Sequence, residues 1–214
     1  MEPPRFRDRV HAGQVLASKL TKYGGRPDVR VLALPRGGVP VAYEVARALG
    51  APLDVFLVRK LGVPGHRELA MGAIASGHVR VLNRDIVGQL GIPPEVIDRV
   101  AALEEQELAR RERAYRGDRP PLDLRNQTVI LVDDGLATGA TMRAAVAALR
   151  QQGPARIVVA VPAAAAETCA AIAEEVDEIV CAETPRPFYA VGLWYEDFRE
   201  TTDEEVRRLL GSAA

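Results

Sequence analysis

The sequence predicts an α/β fold, a doubly wound parallel sheet with helices on both faces. The first observation is that short aliphatic runs, rich in β-branched residues and bounded by polar, glycine or proline residues, recur along the 214-residue chain. The second is that stretches of helical periodicity separate these runs. Strands that alternate with helices favour a parallel sheet, because the chain crosses a face of the sheet as a helix between parallel strands.

Each element has its own local signal. The predicted strands are VRVLAL at 29–34, DVFLV ending at 58, VRVLN around 81, TVILV ending at 132, RIVVAV ending at 161 and EIVCA around 180. The predicted helices cover roughly 10–22, 39–49, 94–115, 141–152 and 165–174. We expect one domain over 1–214, with a helical insertion at about 93–117 and a small segment at about 184–198 that covers the site.

Composition limits the functional classes. The chain is 48% hydrophobic and has a net charge of −1, so it can bury a full core and has no global charge for nucleic acid. No apolar run approaches membrane-spanning length, and no apolar leader follows the N-terminus. Cys169 and Cys181 lie outside any CxxC or Cys/His pattern, which fits two ordinary residues in a reducing compartment. We therefore expect a cytoplasmic protein with no nucleic-acid or membrane partner.

The segment at 93–117 differs from the rest in composition. It is a charged helical stretch that begins at a proline pair and ends at Gly117. Val96, Val100 and Leu103 are its predicted packed stripe, and its Glu and Arg residues have i, i+4 spacing. This pattern is typical of a solvated helix; the alternative is a lid or a dimer contact.

The stretch VILVDDGLATGATM, at 129–142, places two acids directly after a predicted buried strand. In an open parallel sheet, ligands bind beyond the carboxyl ends of the strands. The small residues after Asp133 and Asp134 allow backbone N–H groups to approach a ligand, and the next helix adds its positive N-terminal field. Because Ala140 follows Gly139 where a Walker loop has lysine, NTP hydrolysis is disfavoured.

A phosphate cradle beside two carboxylates fits a sugar phosphate whose hydroxyls donate to the acids, with a divalent cation nearby. The alternative is a strand-end aspartate that caps the next turn, which explains one acid but not both. The stretch resembles the phosphoribosyl-pyrophosphate (PRPP) signature of the type I phosphoribosyltransferases. The resemblance implies that Asp133 and Asp134 face the ribose hydroxyls and hold Mg²⁺. It also implies that the 5′-phosphate is wrapped by Ala137, Thr138, Gly139, Ala140 and Thr141.

Two further segments resemble the same family. LPRGGVPVA, at 34–42, is similar to its pyrophosphate loop, in which Gly37 and Gly38 let amides approach the ligand and Arg36 offers a fork of donors. VRKLGVPGHRELAMG is similar to the start of its mobile loop, where Arg59 and Lys60 would supply positive charge to the leaving pyrophosphate. The alternative for these two residues is a strand that simply ends in solvent.

An aromatic cluster, PRPFYAVGLWYEDF at 185–198, loosely resembles the hood of purine phosphoribosyltransferases. The resemblance makes Phe188, Tyr189 and Trp194 the candidates that stack on the acceptor. The alternative is a hydrophobic staple that holds a C-terminal helix to the core.

The implied reaction displaces pyrophosphate from C1 of PRPP with a base nitrogen or a related acceptor. Arg36 and Lys60 would stabilise the leaving group, and Glu68 is the candidate general base. Ala137 stands where the hypoxanthine-guanine enzymes carry an aspartate, which argues against a 6-oxopurine and leaves adenine as a candidate acceptor. We also expect a homo-oligomer, a dimer. The rival function is a regulatory protein that senses PRPP or nucleotides on the same fold without transferase activity.

Overall fold

The computed structural model describes residues 6–213, except for the side chains of Arg67 and Glu68. The strands are β1 Val29–Ala33, β2 Leu53–Val55, β3 Val58–Val63, β4 His66–Ala75, β5 Val79–Leu82, β6 Thr128–Val132, β7 Arg156–Ala163 and β8 Glu178–Glu183. The α-helices are α1 Arg9–Ser18, α2 Gly38–Leu49, α3 Arg84–Gln89, α4 Pro94–Arg116, α5 Ala140–Gln151, α6 Ala166–Ala173 and α7 Asp203–Ser212. Short 3₁₀ helices lie at Thr21–Tyr23 and Val191–Trp194.

A parallel sheet of five strands, in the order β2-β1-β6-β7-β8, forms the centre of the molecule. Side chains alternate between its faces, so that Ile130 and Val132 of β6 pack with α1, α2 and α7, whereas Val129 and Leu131 pack with α5 and α6. Because helices cover both faces, the predicted doubly wound α/β fold is confirmed.

A second sheet, β3-β4-β5, is antiparallel and has three strands. Here two predictions were wrong. The segment predicted as the start of a loop after Lys60 is a β-hairpin, with Gly65 at φ +82° in its turn. The strand around Val81 pairs with β4 instead of joining the parallel sheet. The hairpin was missed because the glycine and proline residues of GVPG look like a loop, whereas here they make only the turn and its bulged entry.

Helix α4 has 23 residues, close to the predicted bounds. Its packed stripe was predicted only in part: Val100 packs against the core, but the buried residues are Ile97, Ala101, Leu108 and Tyr115, and Leu103 is 65% exposed. The predicted Glu–Arg pairing is present: the Glu107 carboxylate lies 2.7 Å from Arg110 and 2.8 Å from Arg111. In the described part of the chain, no helix combines the length and hydropathy of a membrane span.

The two cysteines form a disulfide, which corrects the expectation of two ordinary residues. Cys169 lies on α6 and Cys181 on β8, with their Cα atoms 6.9 Å apart. Their 12-residue separation matches no local motif. The two residues come together because α6 packs over β8, a long-range arrangement that sequence spacing does not reveal. The cysteine-based argument for a reducing compartment is thereby lost.

Candidate active site

Two loops meet at the carboxyl edge of the parallel sheet. The first leaves β1 and leads through Arg36 into α2, and the second leaves β6 at the acidic pair. The Leu34 amide donates to the Val132 carbonyl at 2.9 Å, which ties the two loops together where they begin. A Cβ on Gly37 would overlap the Asp134 carboxylate, and one on Gly38 would lie 2.8 Å from the Val132 oxygen. Only glycine fits such a close approach.

The acidic pair is enclosed and electrostatically strained. The Asp133 Oδ1 accepts a hydrogen bond from the Asp134 amide at 2.8 Å. Burial, and secondly the neighbouring Asp134 charge, raises the pKa of Asp133 well above its usual range. Burial also raises the pKa of Asp134, although a nearby arginine opposes the shift. Such a pair favours ligands that donate hydrogen bonds or carry positive charge.

That arginine is Arg9 of α1, a residue that sequence reasoning missed. Its Nε and a terminal nitrogen lie 2.9 and 2.8 Å from the Asp134 Oδ2, and its side chain is only 11% exposed. The guanidinium also lies 4.0 Å from the Phe198 ring centroid and donates to the Arg199 carbonyl at 2.6 Å. No local motif marks this pair, because its members are 125 residues apart in sequence.

Arg36 also has partners that the sequence did not indicate. Its guanidinium pairs with Glu200 and lies 3.6 Å from the Asp203 carboxylate at the start of α7. Asp203 in turn accepts a hydrogen bond from the Tyr115 hydroxyl at 2.7 Å. Arg36 is 38% exposed and Glu200 is 77% exposed, so the contact is within reach of solvent and ions. These exposed pairs are weak enough for an anionic ligand to replace them.

The residues predicted to wrap a phosphate form the turn into α5. Gly139, at φ +73°, precedes the first helical residue, Ala140. The Thr168 hydroxyl donates to the Ala137 carbonyl at 2.6 Å and holds the turn against α6. Thr138 and Thr141 are exposed. The turn therefore presents hydroxyls and the N-terminal end of a 12-residue helix to solvent.

The aromatic segment packs directly on the loop after the acids. A Cβ on Gly135 would lie 2.5 Å from Val191, and the Tyr195 hydroxyl donates to the Asp134 carbonyl at 2.6 Å. Phe188 and Trp194 stack with ring centroids 6.2 Å apart and contact a small buried cluster that includes Phe6. This packing is also what the staple alternative requires.

The individual aromatic residues differ in their surroundings. Tyr189 is 79% exposed, whereas Trp194 and Phe188 are half-buried. The Trp194 Nε1 is shielded from solvent and has no hydrogen-bond acceptor among the described residues. A buried indole N–H normally has an acceptor, so this donor is unsatisfied within the described packing.

Arg59 and Lys60, the two basic residues of β3, face opposite ways. Arg59 pairs with Glu104 of α4 at 2.6 Å. Lys60, its neighbour on the strand, is exposed and shares the strand face of Val58, which packs against the side of the sheet that carries α5. The predicted general base, Glu68, lies on β4, and its side chain is outside the described residues.

A parallel α/β sheet with an acidic pair, an Arg-Gly-Gly turn and a threonine-rich helix start at one edge is the arrangement of α/β proteins whose ligand site lies beyond the carboxyl ends of the strands, here with a helix start suited to an anion. The model of the phosphoribosyl transferase domain family matches residues 8–190. The chain therefore belongs to the phosphoribosyl transferase domain family.

Individual relatives agree with this assignment. A Mycobacterium tuberculosis H37Rv protein named "Putative phosphoribosyl transferase" is 46% identical over 208 residues, which cover 97% of this chain and 47% of that protein. The chain thus spans about half the length of the curated relatives it matches. The crystal structure of TT1426 from Thermus thermophilus is 46% identical, with a TM-score of 0.87 over 98% of this chain and 99% of that one.

A more distant likeness shows the fold alone. A hypothetical protein from Neisseria gonorrhoeae, solved with bound ppGpp, has a TM-score of 0.52 at 15% identity. The match covers 100% of this chain and 99% of that one, so the shared architecture extends over the whole length of both.

Proposed function

We propose that this protein transfers the 5-phosphoribosyl group of PRPP to a nitrogenous base or a related acceptor and releases pyrophosphate. One observation carries the proposal: the Arg-Gly-Gly turn after β1 lies in direct contact with the acidic pair after β6, with Gly37 against Asp134. PRPP carries a pyrophosphate at C1 and a phosphate at C5 of its ribose. A site for PRPP therefore needs the pyrophosphate loop and the loop after the acidic pair side by side. The family assignment supports the same class of reaction.

Each loop has a part in donor binding. Asp133 is the acid that can accept from ribose hydroxyls, because Asp134 is already paired with Arg9. The threonines at the start of α5, Thr138 and Thr141, provide hydroxyl donors for the 5′-phosphate. At the other loop, Arg36 exchanges Glu200 and Asp203 for the pyrophosphate oxygens. This exchange costs little, since both pairs are solvent-exposed.

In the proposed step, a lone pair on the acceptor forms a bond to C1 of the ribose while the bond from C1 to the pyrophosphate oxygen breaks. The pyrophosphate leaves with the electron pair, so negative charge accumulates beside Arg36 and the start of α2. Lys60 is the second candidate to stabilise this charge. The acceptor loses its proton to water or to Glu68, our candidate base.

Mg²⁺ is the proposed cofactor, and the residues present fit a cation that arrives with the donor. The described residues contain no group of three or more His, Cys, Asp or Glu side chains that could hold a metal alone. Asp133, with Asp134 beside it, offers carboxylate oxygen next to the proposed pyrophosphate position. Mg²⁺ commonly binds one or two carboxylates together with substrate phosphates. When bound, it would neutralise charge on the leaving group.

The acceptor is proposed to lie against the aromatic segment. Trp194 and Phe188 are stacked on each other and lie next to the donor loop through Val191 and Gly135. Adenine remains the candidate among purines, because Ala137 lacks the carboxylate of the 6-oxopurine enzymes.

Thermal melts and pyrophosphate release test this function together. We expect PRPP with Mg²⁺ to stabilise the fold more than either alone, by roughly 2.7 kcal/mol at one hundred times Kd. We expect pyrophosphate to appear when PRPP is supplied with a pool of bases. Asp133→Asn combined with Asp134→Asn should remove both effects; because Asp134→Asn also breaks the buried pair with Arg9, circular dichroism checks that the variant is folded. Stabilisation without pyrophosphate release would favour the PRPP-sensing regulatory protein, and no stabilisation by PRPP would reject both.

A further inference from the structure

A crevice of about 770 Å³ lies at the amino edge of the parallel sheet, away from the proposed active site. Its lining includes Arg30, at the start of β1, and Leu53 and Asp54, at the start of β2. The Arg-Gly-Gly turn follows the other end of β1. The three residue steps from Arg30 to Ala33 put the two sites roughly 10 Å or more apart, at about 3.3 Å per residue.

Positive charge dominates the lining of this crevice. Its charged residues are Arg30, Arg47, Arg116, Arg119, Asp54 and Asp123. Four positive charges less two negative charges leave a net charge of +2 on these six side chains. The crevice is thus electrostatically suited to an anion.

Three of the four arginines have hydrogen-bond or ion-pair partners within the protein. Arg116 forms a fork with both oxygens of Asp54, at 3.0 and 3.2 Å, and donates to the Pro120 carbonyl. Arg119 donates to the Leu210 carbonyl in the last turn of α7 at 2.7 Å. Arg47 pairs with Glu44 at 2.7 Å. These side chains stabilise the fold and leave part of their donor capacity unused.

Arg30 is different. Within the described residues, its side chain makes no hydrogen bond and has no carboxylate oxygen within 4 Å, although Asp123 of the same lining attracts it at longer range. The Arg30 Nε is shielded from solvent, so only the terminal nitrogens of the guanidinium can face a ligand in the crevice. These nitrogens are the donors that a bound anion would engage.

Helix ends near the crevice oppose an anion, but less strongly than the arginines favour one. The carboxyl ends of α2, α4 and α7 lie at the lining residues Gly50, Arg116 and Ser212. Each end is equivalent to about half a negative charge and acts only over the last turn. Together they offset about 1.5 of the two net positive charges. Arg119 already occupies a carbonyl of α7.

The rest of the lining is mostly apolar, so we expect the part of the ligand beyond its anionic group to be apolar as well. Tyr43, Leu53, Pro120, Pro121 and Leu122 line the crevice around the arginines. We propose that the crevice is a second binding site, for an organic anion that carries one phosphate or carboxylate group on a flat apolar ring. The anionic group lies on Arg30 and the ring lies between the tyrosine and the prolines.

Calorimetric titration with phenyl phosphate, benzoate and inorganic phosphate tests the site and separates the two anionic groups. We expect phenyl phosphate or benzoate to bind at least tenfold more tightly than inorganic phosphate, which lacks the ring. Arg30→Gln should weaken that binding at least tenfold, whereas Arg150→Gln, on α5, should leave it unchanged. Fluorescence of the single tryptophan, Trp194, should not respond, because it lies in the aromatic segment.

Two further variants keep the result decisive. Ala51→Phe narrows the crevice at its lining and should also remove binding. This variant replaces Arg30→Gln as the test if Arg30→Gln does not fold. The double asparagine variant of the acidic pair should retain binding, so that failure of the proposed transferase function and failure of this site give different results. The proposal is overturned if none of the three probes binds at millimolar concentration. It is equally overturned if Arg30→Gln, folded, binds like the parent, or if Trp194 fluorescence reports the binding.

Discussion

The two sheets of this protein are held together by different interactions. Every residue of β6, in the middle of the parallel sheet, is buried. In β5, at the edge of the antiparallel sheet, no residue is fully buried, and Leu82 is 38% exposed. Burial of apolar surface stabilises the centre of the first sheet, whereas its edge strand β8 is mostly half-buried. The second sheet needs support from its neighbours.

Apolar residues of β3 and β4, including Leu61, Met71 and Ile74, are buried in the main core, and charged side chains add contacts between this sheet and α4. Arg59 of β3 pairs with Glu104 of α4, and Arg80 of β5 lies 2.6 Å from Asp98 of the same helix. Partly exposed ion pairs are worth little individually and weaken in salt. The parallel sheet should therefore unfold only globally, whereas the antiparallel sheet should open locally at lower free energy. The first carries the proposed donor loops, and the second carries Lys60 and Glu68.

The largest expected difference between the sheets comes from matched leucine truncations. Leu131 in β6 is completely buried, so Leu131→Ala should lower the free energy of unfolding by about 2–5 kcal/mol through lost burial and a residual cavity. Leu82→Ala in β5 should cost well under half as much, since that side chain already contacts solvent. Denaturant titration of both variants measures the difference. Equal losses would show that the two sheets share one kind of core.

The parallel sheet and its loops could be predicted from the sequence because their signals are local. Runs such as TVILV end at the acidic pair, and the glycines of the Arg-Gly-Gly turn follow VRVLAL directly. Each signal lies within about ten residues. The antiparallel sheet lacks such signals, because β3 and β4 carry charged residues and glycines whose role depends on α4.

The partners of the site residues could not be predicted, because they come from distant parts of the chain. Arg9 reaches Asp134 across 125 residues, and Arg36 reaches Glu200 across 164. The local pattern around Arg36 marks it as a site residue but does not indicate its partners, and the sequence around Arg9 carries no such pattern. Only packing of α1 and α7 on the same face of the sheet brings these charges together.

The contributions of Asp133 and of Glu107 on α4 to the free energy of unfolding should change in opposite directions with pH. The pKa of Asp133 is raised in the folded state, so the folded protein binds a proton more readily than the unfolded chain, and stability falls as pH rises above the unfolded value of about 4. Asp133→Asn should therefore be more stable than the parent at pH 7. The gain is about 1.4 kcal/mol for each unit of pKa shift. It should vanish below about pH 4.

Glu107 of α4 provides the control of opposite sign. Hydrogen bonds from Arg110 and Arg111 lower its pKa to about 2, so its contribution is present at neutral pH and is lost as pH falls towards that value. Glu107→Gln should not be more stable than the parent at pH 7. Denaturant titrations at several pH values compare the two variants. A gain from Glu107→Gln, or a loss from Asp133→Asn, at pH 7 would contradict the comparison.

The smallest expected effect tests whether the antiparallel sheet opens on its own. Glu104→Gln removes the carboxylate that pairs with Arg59, and both side chains are 28% exposed, so the cost should be at most about 1 kcal/mol. Because the pair joins β3 to α4, amide hydrogen exchange should accelerate in β3 and β4 and stay unchanged in β6.

Salt and a matched variant complete this last test. At 1 M NaCl the Debye length is about 3 Å, so salt should accelerate exchange in the parent in the same strands and add little in Glu104→Gln. Glu112→Gln is the matched control, since Glu112 lies on the same helix and has no ion pair within 4 Å in the described part of the chain. If Glu104→Gln accelerates exchange equally in β3 and β6, the two sheets unfold as one unit, and the ion pairs to α4 do not set a separate stability for the hairpin.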